Sequence, residues 1–138
     1  MTHVSRKKLE NNVLNKILDF LVISLTDIKD EGEMRDFLDA FLTSTEKIML
    51  AKRLGVAYLL SEKWTEDQIS EALCVGKPTI QRMKLWLKTE GKGYILALEI
   101  LKKNEKFEEF KGVFVAILHK LAHPYRGLIS GAYYQGED

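Results

Sequence analysis

Two short amphipathic segments joined by a three-residue turn constrain this chain more than any other feature. From Thr65 to Lys88 the sequence runs TEDQISEALCVGKPTIQRMKLWLK. Drawn at helical spacing, Lys77, Gln81, Lys84 and Lys88 fall within about 60° of one another. Ile80, Met83 and Leu87 form a separate apolar arc roughly a quarter-turn away. A helix that packs on one side and offers amide and ammonium groups on another suits the major groove of DNA.

The local chemistry agrees with a helix-turn-helix. Thr65 followed by Gln68 has the form of a capping box, which fixes the start of the first helix. Ile69 and Leu73, four apart, give that helix a buried edge, and Ser70 is small where a second helix would cross closely. Cys74, Val75 and Gly76 form the turn, with Val75 pointing inward and Gly76 as the cap before Lys77 and Pro78. Proline is tolerated there because the N–H it lacks has no helical partner in a first turn.

Net charge is only +1, so the total says nothing in favour of nucleic acid. The distribution says more. Between Ser61 and Val75, Lys63 stands against Glu62, Glu66, Asp67 and Glu71, leaving −3. Between Gly76 and Gly93, Lys77, Arg82, Lys84, Lys88 and Lys92 stand against Glu90 alone, leaving +4. The basic part is the part that would touch DNA.

The rest of the chain reads as helices. Leu9, Val13, Leu14, Ile17, Leu18 and Leu21 recur at helical spacing, predicting a first helix from about Ser5 to Thr26. Its segment from Phe20 to Ile23 is apolar all round, which calls for a second chain in a dimer or a buried position within this one. A break is expected at Lys29–Gly32, then a short helix through Met34, Phe37, Leu38, Phe41 and Leu42. Thr43 to Glu46 forms another capping box, starting a helix that runs to about Leu60 with Met49, Leu50, Leu54, Ala57 and Tyr58 on its apolar face. Glu90–Gly93 is expected to end the second motif helix. Tyr94–Leu101 and the run Phe107, Phe110, Phe114, Ile117, Leu118, Leu121 follow as further helices, before a glycine-rich tail from His123. The organisation expected is therefore N-terminal dimerisation helices over 1–42, a helix-turn-helix core over 43–93, and a C-terminal helical extension and tail over 94–138.

Several function classes are excluded on composition and pattern. With 138 residues, 46% hydrophobic and 30% charged, the chain has the make-up of a soluble globular protein. Its single cysteine, Cys74, rules out an internal disulfide and suits a reducing cytoplasm. No secretory signal is expected, since the start leads into polar sequence. The most apolar stretch, Ile17–Leu25, is short and contains Asp19, so no membrane partner is expected. His119 and His123 stand four apart, but without an intervening glutamate in the metalloprotease position or a second ligand cluster. No metal, no cofactor and no enzymatic activity are expected.

Leu42-Thr-Ser-Thr-Glu46, Leu50-Ala-Lys-Arg-Leu54, Ala57-Tyr-Leu-Leu60 and Cys74-Val-Gly-Lys-Pro-Thr-Ile-Gln-Arg82 together resemble the Trp repressor superfamily, and in particular its small Trp-repressor-like members. The resemblance covers about residues 33 to 90. It implies an all-α helical bundle with paired DNA-reading heads, built as an intertwined homodimer, and a function in transcription regulation or as a DNA-binding accessory of transposition. It also places Thr43, Arg53 and Arg82 at the positions that hold the tryptophan corepressor in the family's namesake. The glycine that follows that last arginine in the namesake is Met83 here, and a serine three residues on is Trp86. Both substitutions put bulk where an indole would lie, so no tryptophan corepressor is expected. A turn glycine is also replaced by Cys74, where positive φ would cost about 1 kcal/mol.

With double-stranded DNA as partner, Lys77, Thr79 and Gln81 are expected near base edges, with Gln81 able to pair bidentately with adenine. Lys84, Lys88 and Lys92 are expected on phosphates. Thr65 and Gln68 could contact phosphate or serve only as a cap, and Arg82 could serve a phosphate or an internal ion pair. Leu85 and Trp86 are expected in core or dimer contacts. The alternative from another class is a protein-interaction module docking through residues 94–122, for which Phe107, Phe110 and Phe114 form a candidate stripe.

Overall fold

A computed structural model of the chain describes residues 5–122. Those residues form seven helices and no strand: α1 (Asn11–Asp27), α2 (Glu31–Phe41), α3 (Ser44–Ser61), α4 (Glu66–Leu73), α5 (Lys77–Glu90), α6 (Lys92–Lys102) and α7 (Phe107–Ala122). The fold is all-α, as expected. The chain divides into two compact units, one ending at Ala51 and the other beginning at Lys52. The glycine-rich tail, with His123, lies outside the described residues.

In the first unit, α1 starts six residues later than the periodicity predicts. Arg6, Lys7 and Lys8 account for the difference, because three cations in a first helical turn would face the positive end of the helix dipole. None of the residues of α1 is buried in the single chain. The expected break also shifts. Asp30 caps α2 by accepting from the Glu33 backbone N–H at 3.0 Å, and Glu31 and Glu33 complement the dipole, so Gly32 sits inside the first turn. The Thr43 capping box forms in both directions: Thr43 Oγ1 accepts from Glu46 N at 3.1 Å, and Glu46 Oε1 accepts from Thr43 N at 3.4 Å.

The core lies in the second unit. Val56, Ala57, Tyr58 and Leu59 of α3 are buried together with Ile69 of α4, Ile80 and Met83 of α5 and Leu98 of α6. Four consecutive buried residues mean that this end of α3 is enclosed on all sides. The single apolar face read from the sequence is therefore corrected. Val56 and Leu59 join it, while Met49 and Leu50 are exposed.

α4 packs on both α5 and α7, and α5 packs on α6. Tyr58 meets Phe107 edge-on at 5.8 Å and Phe114 at 5.4 Å, and Phe114 also meets the Trp64 ring edge-on at 6.4 Å. Two members of the candidate docking stripe, Phe107 and Phe114, thus pack into the core. Phe110 alone is exposed.

The end of the second motif helix is tighter than expected. Gly91 is the only residue between α5 and α6, and Gly93 lies inside α6. Glycine is needed at 91 because a Cβ there would run into the Leu87 backbone carbonyl.

Candidate nucleic-acid interface

The helix-turn-helix forms as the sequence predicts. Thr65 Oγ1 accepts from Gln68 N at 3.2 Å and Gln68 Oε1 accepts from Thr65 N at 2.9 Å, closing a reciprocal capping box. α4 is capped at its C-terminus by Cys74, which adopts φ 52° and ψ 52°. The turn thus keeps the left-handed conformation that a glycine would take without strain. Lys52 Nζ donates to the Cys74 carbonyl oxygen at 3.1 Å. Gly76 then caps α5 through its backbone, accepting from Thr79 N and Ile80 N, with Pro78 in the first turn.

On α5, Ile80 and Met83 are buried and Leu87 packs against the same core. Lys77, Thr79, Gln81, Arg82, Lys84 and Lys88 are all exposed, as is Lys92 at the start of α6. Leu85 and Trp86 do not pack in the core; they are 66% and 53% exposed. Leu85 lies nearly opposite the buried arc, and Trp86 lies about 60° beyond Met83, past its edge. Of the two residues expected to fill the space behind the helix, Met83 is buried and Trp86 is exposed in the single chain.

The basic stripe is not free. The first turn of α4 supplies Glu66 and Asp67, and both reach across to α5. Asp67 pairs with Lys77. Glu66 Oε2 accepts from Gln81 Nε2 at 3.2 Å, while its Oε1 lies 3.6 Å from Lys84 Nζ. A hydrogen bond to Asp67, reinforced by its charge, pushes the Lys77 ammonium above its ordinary pKa. Lys88 and Lys92 make no ion pair or hydrogen bond among the described residues, so their ammonium groups carry uncompensated charge.

Arg82 Nη2 lies 3.4 Å from Thr79 Oγ1 on its own helix. Thr43 caps α3, and Arg53 is exposed on α3. Thr65 and Gln68 have their side-chain oxygens committed to the cap, beside two carboxylates that would repel a phosphate.

The sequence reading missed Glu66 and Asp67 as members of this surface. The signal was present in the −3 and +4 segments, but only the packing of α4 on α5 makes them neighbours. Among the described residues, no group of three or more His, Cys, Asp or Glu side chains could hold a metal ion, and no helix is long and apolar enough to cross a membrane.

An all-helical chain with this capped pair, turn and exposed second helix is a helix-turn-helix protein. It belongs to the Trp repressor family, described as Trp repressor protein, which matches residues 16–105. That match reaches from within α1 through α6, further at both ends than the motifs in the sequence reach. A curated relative, the uncharacterized protein YerC of Bacillus subtilis (strain 168), is 36% identical over 90 residues, covering 65% of this chain and 86% of the relative. No solved structure gives a significant match.

Proposed function

We propose that this chain is a sequence-specific double-stranded DNA-binding protein that regulates transcription, acting as a homodimer with α5 in the major groove. The observation that carries the reading is the division of α5 into a buried arc and an exposed polar shoulder, within a family helix-turn-helix. Lys77, Thr79 and Gln81 stand near the helix start, where base edges are approached, and Lys84, Lys88 and Lys92 follow at phosphate-holding positions.

The dimer rests on α1. Leu14, Ile17, Leu18, Phe20, Val22 and Ile23 are all at least two-fifths exposed in the single chain. An apolar surface of that extent is stable in water only when covered, and a second copy of the same helix is its proposed cover. Two heads would then stand about 34 Å apart, one DNA turn, and favour a pseudo-palindromic site.

No tryptophan corepressor is part of the proposal. Met83 is buried in the core, which supports a helix held by packing in place of a ligand. Calorimetry with L-tryptophan is expected to show no saturable heat; micromolar binding would refute this point. Selection of bound sequences from random duplex DNA, followed by a salt titration, tests the function itself. Enrichment of a two-fold-related motif, with affinity falling steeply as salt rises, is the expected result. Recovery of no sequence above background would sink the reading.

A further inference from the structure

Glu66 holds two members of the basic stripe at once, Gln81 through Oε2 and Lys84 through Oε1. A carboxylate only accepts hydrogen bonds, so the contact settles which way the Gln81 amide is turned. Its NH2 group points to Glu66. The carbonyl oxygen and one remaining N–H are left without a partner among the described residues, on an exposed side chain.

We propose that Glu66 is a positioning residue for base readout, fixing the Gln81 amide so that α5 selects adenine over guanine at one position of its site. The inference rests on the DNA-binding reading above. In the major groove, adenine offers N7 as acceptor and its N6 amino group as donor, matching the free N–H and the carbonyl oxygen of this amide. Guanine offers two acceptors, N7 and O6, and O6 would meet the Gln81 carbonyl oxygen with no proton between them. Cytosine could use its N4 amino group for a single bond, one fewer than adenine. Lys84 is the neighbouring donor that could read guanine, and the same carboxylate draws its ammonium toward α4. Two groups that could donate to guanine, the Gln81 amide and Lys84, are thereby turned toward Glu66, while Lys77 pairs with Asp67.

The test compares the full-length protein with Glu66→Gln, Gln81→Ala and Asp67→Asn on the selected duplex and on its adenine-to-guanine variant. Wild type is expected to prefer adenine about ten-fold or more at the position lost in Gln81→Ala. In Glu66→Gln the new side chain can donate as well as accept, so the Gln81 amide takes either orientation. The preference is expected to fall to about three-fold or less, through a gain in affinity for the guanine duplex. Asp67→Asn removes the acid on Lys77 only, and should raise affinity for both duplexes while leaving their ratio unchanged.

A ratio in Glu66→Gln equal to that of wild type, or a change matched by Asp67→Asn, overturns the positioning role while DNA binding stands. An equal loss on both duplexes assigns Glu66 to the fold and overturns it too. Failure of all four proteins to bind any duplex overturns the DNA reading itself, and this inference with it.

Discussion

Lys63 and Cys74 are the non-glycine residues of the described chain with positive φ, at 65° and 52°. Lys63 closes α3 and Cys74 closes α4. After Lys63, the Trp64 N–H reaches the Leu59 carbonyl while the Lys63 N–H reaches that of Leu60, so the left-handed residue satisfies two terminal carbonyls of α3. An L-residue in that region costs about 1–2 kcal/mol, and glycine recovers part of it at the expense of unfolded-state entropy. Cys74→Gly is therefore expected to stabilise the protein by about 0.5–1 kcal/mol in urea unfolding; a lower midpoint at unchanged slope would contradict it. The lysines differ in a way the sequence does not display. Lys84 shares Glu66, whereas Lys88 stands alone, so Lys88→Gln should weaken DNA binding more than Lys84→Gln does. Replacing both should flatten the salt dependence by about 1.8 in log–log slope, at 0.9 per phosphate. An unchanged slope would remove both from the phosphate contacts.

At the scale of the element, periodicity reads a helix well when one side of it is buried and poorly when all sides or none are. α5 is the favourable case. Its apolar arc of Ile80, Met83 and Leu87 is the arc that packs, and the polar shoulder is exposed as predicted. Ile80 is fully buried, so Ile80→Ala should cost about 2–5 kcal/mol, measured by thermal or urea unfolding. A cost below about 1 kcal/mol would show that the site collapses around the smaller residue. α3 is the unfavourable case, being exposed at Ile48, Met49 and Leu50 and enclosed from Val56 to Leu59. The apolar runs Ile48–Ala51 and Val56–Leu60 look alike in the sequence, and what separates them is their neighbours. Helix ends set by capping boxes were legible at Thr43 and Thr65. The start of α1 was not, since no side-chain cap marks it and a cluster of cations precedes its first apolar residue.

For the whole molecule, the C-terminal helices complete the helix-turn-helix unit. Leu98, Leu101, Phe107 and Phe114 all belong to or pack against its core. A chain cut after Gly93 would expose Tyr58, Ile80 and their neighbours, and is expected to aggregate in light scattering. A stable, soluble product of that cut would instead make 94–122 a dispensable docking element. The exposed face of α1 leads to a second expectation at this scale. The intact protein should sediment as a dimer, and a double Ile17→Glu, Leu18→Glu variant as a monomer; a wild-type monomer at micromolar concentration would refute the proposed pairing. Alkali should weaken the fold. Burial, reinforced by Glu62 and Glu108, raises the Tyr58 pKa above 10.0, and Asp67 raises that of Lys77 above 10.5. Both groups favour their protonated forms more strongly when folded, so their contribution is complete below about pH 10 and is lost as pH climbs through the raised values. Unfolding midpoints should hold from pH 7 to 9 and fall beyond pH 10.

What the sequence determined by itself was the set of helices whose signals are local: two capping boxes, a proline in a first turn, and an apolar arc at a spacing of three and four. These depend on residues within one or two turns of each other, so the chain carries them whatever it packs against. The tertiary structure decided the partners. Glu66 and Asp67 look like ordinary first-turn acids in the sequence, and Lys77, Gln81 and Lys84 like an open basic face. Packing α4 against α5 brings residues up to eighteen positions apart within ion-pair distance, and converts an open stripe into one partly held from within. Electrostatic contact depends on distance in space, and across a turn between two helices that distance is set only when they pack.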